Sequence, residues 1–174
     1  MPETAIIRPL LARTHAEAVL TFYRRAADYV QLETGALPDM DLVEEFFADV
    51  PPGGDPARSL KLGLFLPQLP GEGPQSLVGI ADLGFGYPEA RDAYLGLLLL
   101  APEARGQHWG QRFLRHLRRE AELRGARRLV LAVLADNPRG RAFWEREGFR
   151  IELTTPPMKM GRLLHVRHRM VLDI

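Results

Sequence analysis

No cysteine occurs anywhere in the 174 residues. Disulfides, thiolate nucleophiles and cysteine-ligated metal sites are thereby excluded, in keeping with a reducing compartment. Neither charge is in excess: 23 Lys plus Arg stand against 22 Asp plus Glu, a formal +1, so the whole chain asks for neither a nucleic acid nor a membrane. No apolar run approaches the roughly 20 residues of a membrane helix. Met1-Pro2-Glu3-Thr4-Ala5-Ile6-Ile7-Arg8 lacks the charged start and long apolar middle of a signal peptide. The expectation is a cytoplasmic protein with no membrane or nucleic-acid partner. Repeats and low-complexity linkers are also missing, and 46% apolar content suits a single domain over residues 1–174.

What the chain does have is concentrated between Leu95 and Phe149. Leu95-Gly96-Leu97-Leu98-Leu99-Leu100 has the length and composition of a buried strand. A short glycine-containing loop, Arg105-Gly106-Gln107-His108-Trp109-Gly110, leads into a helix with Trp109, Phe113, Leu117 and Ala121 on one face. Gly125 ends it, and Leu129 to Leu134 is a second apolar strand. Strand, crossover helix and strand of these lengths make a βαβ unit with parallel strands. The first four N–H groups of the crossover helix have no intrahelical acceptor, and the helix dipole makes that end positive. An anion, most often a phosphate, is the natural ligand there.

Pro102 to Gly110, followed after the second strand by Asn137-Pro138-Arg139-Gly140-Arg141-Ala142-Phe143-Trp144-Glu145-Arg146-Glu147-Gly148-Phe149, resembles the acyl-CoA-binding core of the GNAT superfamily of N-acetyltransferases. Arg105 and Gly110 fit the ends of the family's loop pattern, Asn137 its asparagine, and Gly148-Phe149 its closing pair. Two positions depart from it. His108 stands where the middle glycine is expected, and Trp144 where many members carry a tyrosine that protonates the departing thiolate. An indole N–H donates a hydrogen bond but does not titrate in the useful range.

The resemblance implies a mixed α/β sheet: an N-terminal strand, two helices, antiparallel strands, the central βαβ crossover, then a C-terminal helix and strand pair. It implies acetyl-CoA as acyl donor and direct transfer to a small amine acceptor without an acyl-enzyme. Leu98 and Leu100 would pair with the pantetheine arm, and the amides of Gly106, Gln107, His108, Trp109, Gly110 and Gln111 would cradle the pyrophosphate. Arg105, Asn137 and Trp144 complete the cofactor set carried over. The oligomeric state stays open, a homodimer among the options.

Along the rest of the chain, Ala5 to Leu10 reads as a first strand held to an edge by Pro9. Thr14-His15-Ala16-Glu17 has the capping-box form and predicts a helix running to Thr34 before Gly35. Asp41 is the expected cap of a second helix bearing Leu42, Val43, Phe46, Phe47 and Val50. Leu60 to Leu66 and Leu77 to Leu83 read as a hairpin, with a turn at Gly84 to Pro88. Asn137 and Pro138 open a helix as N-cap and first residue, which by itself would explain Asn137. Phe149 to Leu153 and Leu163 to Leu172 are the last strands, with Thr154 to Arg162 a loop between them. His165 and His168 would face opposite sides of that last strand, so a shared metal is not expected.

Transfer to an amine needs a proton acceptor, because an alkylammonium has a pKa of about 10.4. Glu33 and Asp82 are the candidates, with water, Tyr87 or Tyr94 left to protonate the thiolate. The acceptor's walls would come from the first two helices and the Gly84 to Asp92 and Thr154 to Arg162 loops. Two rivals stand beside the transferase. His108 and Trp144 would also suit an acyl-CoA-binding regulatory module with weak or no turnover. The arginines around the crossover, Arg105, Arg112, Arg115, Arg118, Arg119, Arg124, Arg127 and Arg128, would suit a solvated helix face, a field for coenzyme A phosphates, or a nucleic acid.

Overall fold

The structure is a computed structural model, which describes residues 5–67 and 75–174. A seven-stranded sheet contains β1 (Ile6–Pro9), β2 (Leu60–Leu66), β3 (Ser76–Phe85), β4 (Asp92–Leu100), β5 (Arg128–Leu134), β6 (Arg150–Thr154) and β9 (Arg167–Asp173). Their spatial order is β1-β2-β3-β4-β5-β9-β6, and every pairing is antiparallel except β4 with β5. A separate hairpin joins β7 (Met158–Met160) to β8 (Leu163–His165). The helices are α1 (Ala12–Arg25), α2 (Ala27–Thr34), α3 (Met40–Ala48), α4 (Trp109–Leu123) and α5 (Pro138–Arg146). The expected βαβ crossover is therefore β4-α4-β5, and Pro9 lies on an edge strand as its missing N–H requires.

Strand alternation divides the core in two. Leu95, Leu129, Leu131, Val133 and Met170 turn to the face covered by α4 and α5, where they meet Phe113, Leu117 and Trp144. Ile80 and Leu99 turn the other way, to Val19, Phe22, Val30 and Phe46 of α1, α2 and α3. Phe113 and Leu117 are fully buried, each contributing about 1.5–3 kcal/mol by burial. Among the described residues no helix is long and apolar enough to cross a membrane.

Several expectations are corrected. The first predicted helix is two: α1 ends at Arg25 and α2 restarts after Ala26. Arg25 bonds the Leu77 carbonyl and Glu103, whereas Asp28 turns to Arg105, so ion pairs with different partners hold the two segments. The Thr14 capping box does not form. The helix starts earlier, with Leu11 at the cap, and the Leu11 N–H donates to His15 Nδ1 at 2.9 Å, the role foreseen for Glu17. Asp39, not Asp41, caps α3, accepting from the Leu42 N–H at 3.1 Å; Asp41 sits in the first turn, where its charge favours the dipole.

The stretch read as one strand from Leu163 to Leu172 breaks at Val166, and the supposed loop before it contains β7. Gly161, at φ 57°, makes the tight turn between β7 and β8. His165 and His168 thus belong to different sheets. The His165 ring lies 2.8 Å from the Glu33 carbonyl, and His168 lies 2.8 Å from the Thr154 hydroxyl.

Candidate active site

Strands β4 and β5 are paired only from Asp92↔Arg128 to Leu95↔Leu131. Arg128 staples the paired end with two hydrogen bonds to the buried Asp92 carboxylate, at 2.6 and 2.8 Å. Beyond Leu95, β4 stays with β3 as far as Leu100↔Gly79, and β5 stays with β9 as far as Leu134↔Arg167, so the two parallel strands part. Gly96 marks the parting. It has no partner between Leu95↔Leu83 and Leu97↔Asp82, and such a bulge bends its strand. The Ala101 N–H bonds the Val78 carbonyl. In an antiparallel ladder the bonded residues alternate, so Leu99 and Leu97 also face β3, while Leu98 and Leu100 turn their main-chain groups into the gap.

The gap ends at the glycine-containing loop. Arg105 Nε donates to the Leu100 carbonyl at 3.0 Å, and its other nitrogens grip Asp28 at 2.5 and 3.1 Å, holding that carboxyl below its usual range. Gln107 Nε2 closes the turn onto the Glu103 carbonyl at 2.7 Å. Among the described residues, no amide from Gly106 to Gln111 meets an acceptor, and the first bond of α4 is from the Arg112 N–H to the His108 carbonyl. Those donors cluster at the positive end of a 15-residue helix. His108 itself has φ 63°, the left-handed region in which glycine is at home, while its ring is exposed. The loop keeps the shape a glycine would give it, at a cost of about 1–2 kcal/mol.

Around the loop, Gly110 lies under Phe143, whose ring would be 3.3 Å from an added Cβ, with Leu100 at 3.6 Å. Gln111 Nε2 bonds Glu147 at 2.8 Å, and Arg112 lies over the Trp109 ring at 4.6 Å. Asn137 Oδ1 caps α5 by accepting from the Gly140 N–H at 3.0 Å. Trp144 is only 8% exposed and packs edge-on against Phe143 and Phe149 in the core. Its neighbour Phe143 touches the loop instead.

On the other face of the sheet the charges gather. Residues directly opposite across strands share a face; with Leu129, Leu131, Val133 and Met170 turned to α4 and α5, the alternate set turns to α1, α2 and α3. That set holds Lys61 opposite Asp82 and, past the gap, Arg169 opposite Ala132 and Arg167 opposite Leu134. Asp82 is 4% exposed. Lys61 Nζ lies 2.5 Å from both Asp82 Oδ1 and the Asp49 carbonyl. Burial nevertheless pushes the Asp82 carboxyl up to about 6 against the pull of Lys61. A Cβ on Gly96 would come within 2.7 Å of Asp82 Oδ2, so the bulge that opens the gap also admits this carboxylate.

Glu33, at the end of α2, accepts from the Tyr29 hydroxyl at 3.3 Å, and burial raises its carboxyl. The Tyr23 hydroxyl is pushed up by burial and by the charges of Glu33 and Asp82, so both candidate carboxylates act on one phenol. Tyr94 and Tyr87 stand edge to face at 5.2 Å, and burial raises Tyr94. Lys61 and Asp49 went unnoticed in the sequence and Tyr23 read only as part of a helical apolar face, although a single lysine among the leucines of Leu60-Lys61-Leu62 was a visible signal of a buried charge needing a partner. A separate cavity of about 250 Å³ flanks α4, lined by Trp109, Arg112, Arg115, His116 and Arg119 against β1 and β2. It shares Trp109 with the loop but none of these carboxylates.

The sequence model of the acetyltransferase (GNAT) family matches residues 41–149. A search of curated proteins finds no match. Among solved structures, an acetyltransferase from Thermus thermophilus is 28% identical, with 99% of each chain covered and a TM-score of 0.73. The ribosomal-protein-S18-alanine N-acetyltransferase from Escherichia coli is 20% identical, over 98% of this chain and 94% of that one, with a TM-score of 0.68. The PaiA N-acetyltransferase from Thermoplasma acidophilum, solved in complex with coenzyme A, is 18% identical over 98% and 99%, with a TM-score of 0.67. The last two likenesses concern the fold.

Proposed function

The chain belongs to the GNAT acetyltransferase family and is an acyltransferase, and from that premise we propose that it transfers an acetyl group from acetyl-CoA directly to the primary amine of a small acceptor. The observation that carries this reading is the gap between β4 and β5, which runs from the Gly96 bulge past Leu98 to the unpaired amides of Gly106 to Gln111. An extended amide-bearing arm would add to the open edge of β4 through Leu98 and Leu100, as a strand adds to a sheet. Its diphosphate would then reach the amides at the start of α4. Arg105 holds this loop in place through Asp28 and Leu100. Asn137 fixes the start of α5, and Trp144 supports Phe143 from the core.

Proton transfer falls to this chain's side chains. At pH 7 a carboxylate with a pKa near 6 is mostly ionised and still basic enough to accept from an ammonium held beside it. Asp82 has that value and borders the bulge, so it is the assigned base, with Glu33 the second candidate. As the amine attacks, the charge developing on the thioester oxygen meets the Leu98 N–H, an oxyanion-type contact that needs no side chain. Tyr94, which burial keeps protonated, offers a phenol to the departing thiolate in place of the missing tyrosine at Trp144.

One alternative keeps an observation of its own. Left-handed backbone at His108 and an indole withdrawn into the core would also suit an acyl-CoA-binding module without turnover. Against nucleic-acid binding, Arg118 and Arg124 are engaged with Glu122 and Glu120 along α4. Thiol release from acetyl-CoA across a panel of amines, with coenzyme A binding followed by calorimetry, separates the readings. Release with an amine establishes the transferase, whereas binding without release favours the module.

A further inference from the structure

Arg167 has no carboxylate within 4.0 Å among the described residues, in a site where the other cations are paired. Arg169, two residues on, reaches Glu152 at 3.9 Å, and Lys61 is bound to Asp82. Arg167 Nη2 finds only the Met158 sulfur, at 3.1 Å, and its Nε is buried with no hydrogen-bond partner. A buried guanidinium N–H without an acceptor is uncommon in a folded protein and asks for a reason. The group cannot escape by losing its proton, because arginine stays charged.

Its place supplies the reason. Arg167 lies opposite Leu134, beyond the end of β4–β5 pairing, on the face shared with Asp82 and Lys61. Its charge acts on both Glu33, at the end of α2, and Tyr94, on β4, so it belongs to the space between that helix and the sheet. The phosphate-binding amides stand at the start of α4, which covers the opposite face. The two sets of donors therefore address different parts of the bound molecules. Across the gap from Arg167 the charge reverses: the Asp82 and Asp49 carboxylates stand beside Gly96, and Lys61 pairs with Asp82 while its Nζ also donates to the Asp49 carbonyl.

We propose that Arg167 binds a carboxylate carried by the acceptor, so that the substrate class is amino acids, with the amine directed to Asp82 and the carboxylate to the guanidinium. This rests on the transferase reading and narrows it. A planar guanidinium fork matches a carboxylate through two parallel charge-assisted hydrogen bonds. The bond that forms joins the amine nitrogen to the acetyl carbon, the carbon–sulfur bond breaks, and the thiolate leaves to be protonated. The carboxylate is a handle and is not changed.

The test compares L-amino acids with their own decarboxylated amines as acceptors in a thiol-release assay, in the parent and in Arg167→Met and Arg167→Lys. In the parent, kcat/KM for the amino acid should exceed that for its amine by about 10- to 100-fold, the range of a charge-assisted pair. In Arg167→Met that ratio should collapse towards one, mainly through KM, and Arg167→Lys should restore part of it. Coenzyme A binding by each variant checks that it is folded. Equal or better use of the decarboxylated amines by the parent, or an unchanged ratio in Arg167→Met, overturns the assignment while leaving amine acetylation standing. Coenzyme A binding with no thiol release on any amine or amino acid overturns the transferase reading, and this inference with it.

Discussion

Lys61 and Asp82 stand directly opposite each other on β2 and β3, with Lys61 Nζ 2.5 Å from Asp82 Oδ1 and both side chains under 10% exposed. Removing one partner of such a pair leaves a buried charge, at a cost of about 3–5 kcal/mol. In Lys61→Met the Asp82 carboxyl should rise further above its present value near 6. A carboxyl raised by folding binds its proton more tightly in the native state, so stability is lost as pH climbs through the interval between unfolded and folded values. The variant's deficit in urea should therefore be small at pH 5 and approach the full cost at pH 8. A deficit independent of pH would count against the pair.

Asp82 must be ionised to act as base, so kcat/KM of the parent should rise with pH up to about 6 and then level. Asp82→Asn should remove that limb and lower kcat by about 10²–10⁴. Should Glu33→Gln produce that loss while Asp82→Asn is mild, the base is Glu33.

His108→Gly relieves a left-handed backbone worth about 1–2 kcal/mol, of which glycine's extra freedom in the unfolded chain returns about 0.4–1. The net gain, about 0.5–1 kcal/mol, should lift Tm by about 1–4 °C in a calorimetric scan. Because the exposed ring is not what shapes the loop, coenzyme A should bind the variant within about twofold of the parent, well under the tenfold that 1.4 kcal/mol represents. Much tighter binding would show the imidazole to be an obstruction.

Gly96→Ala places a Cβ within 2.7 Å of Asp82 Oδ2, and this oxygen belongs to a carboxylate already pinned by Lys61. The strain should cost about 1–3 kcal/mol and displace the carboxylate. Turnover should fall by more than the lost stability explains, with the acid limb moved from its position near 6. A variant that melts earlier but turns over normally would remove Asp82 from the chemistry.

Local chemistry was legible in the sequence, and distant pairing was not. The positive end of α4 and the parallel crossover follow from glycines, strand length and helix polarity, all properties of neighbouring residues, whereas Leu98 and Leu100 come from the resemblance to the family's pattern. The break at Ala26 follows from partners of Arg25 and Asp28 that lie 52 to 78 positions away. Asp39 and Asp41 are equally good caps on paper, and only the backbone at Met40 decides between them. For Glu33 and Asp82 the residue type suggested a base, but the burial that raises each carboxyl comes from the folded protein. Arg167 looked like any surface arginine until its strand position put it over the gap.

Strand β9 lies between β5 and β6, although it follows both in the chain. The sheet thus has an empty slot until residues up to Asp173 have left the ribosome, and a nascent chain ending after α5 holds the glycine-containing loop proposed to bind a diphosphate but lacks β9 and the arginine facing the gap. The loop before α4 is synthesised early and Arg167 late, so completion of synthesis is what first sets the proposed phosphate and acceptor sites side by side.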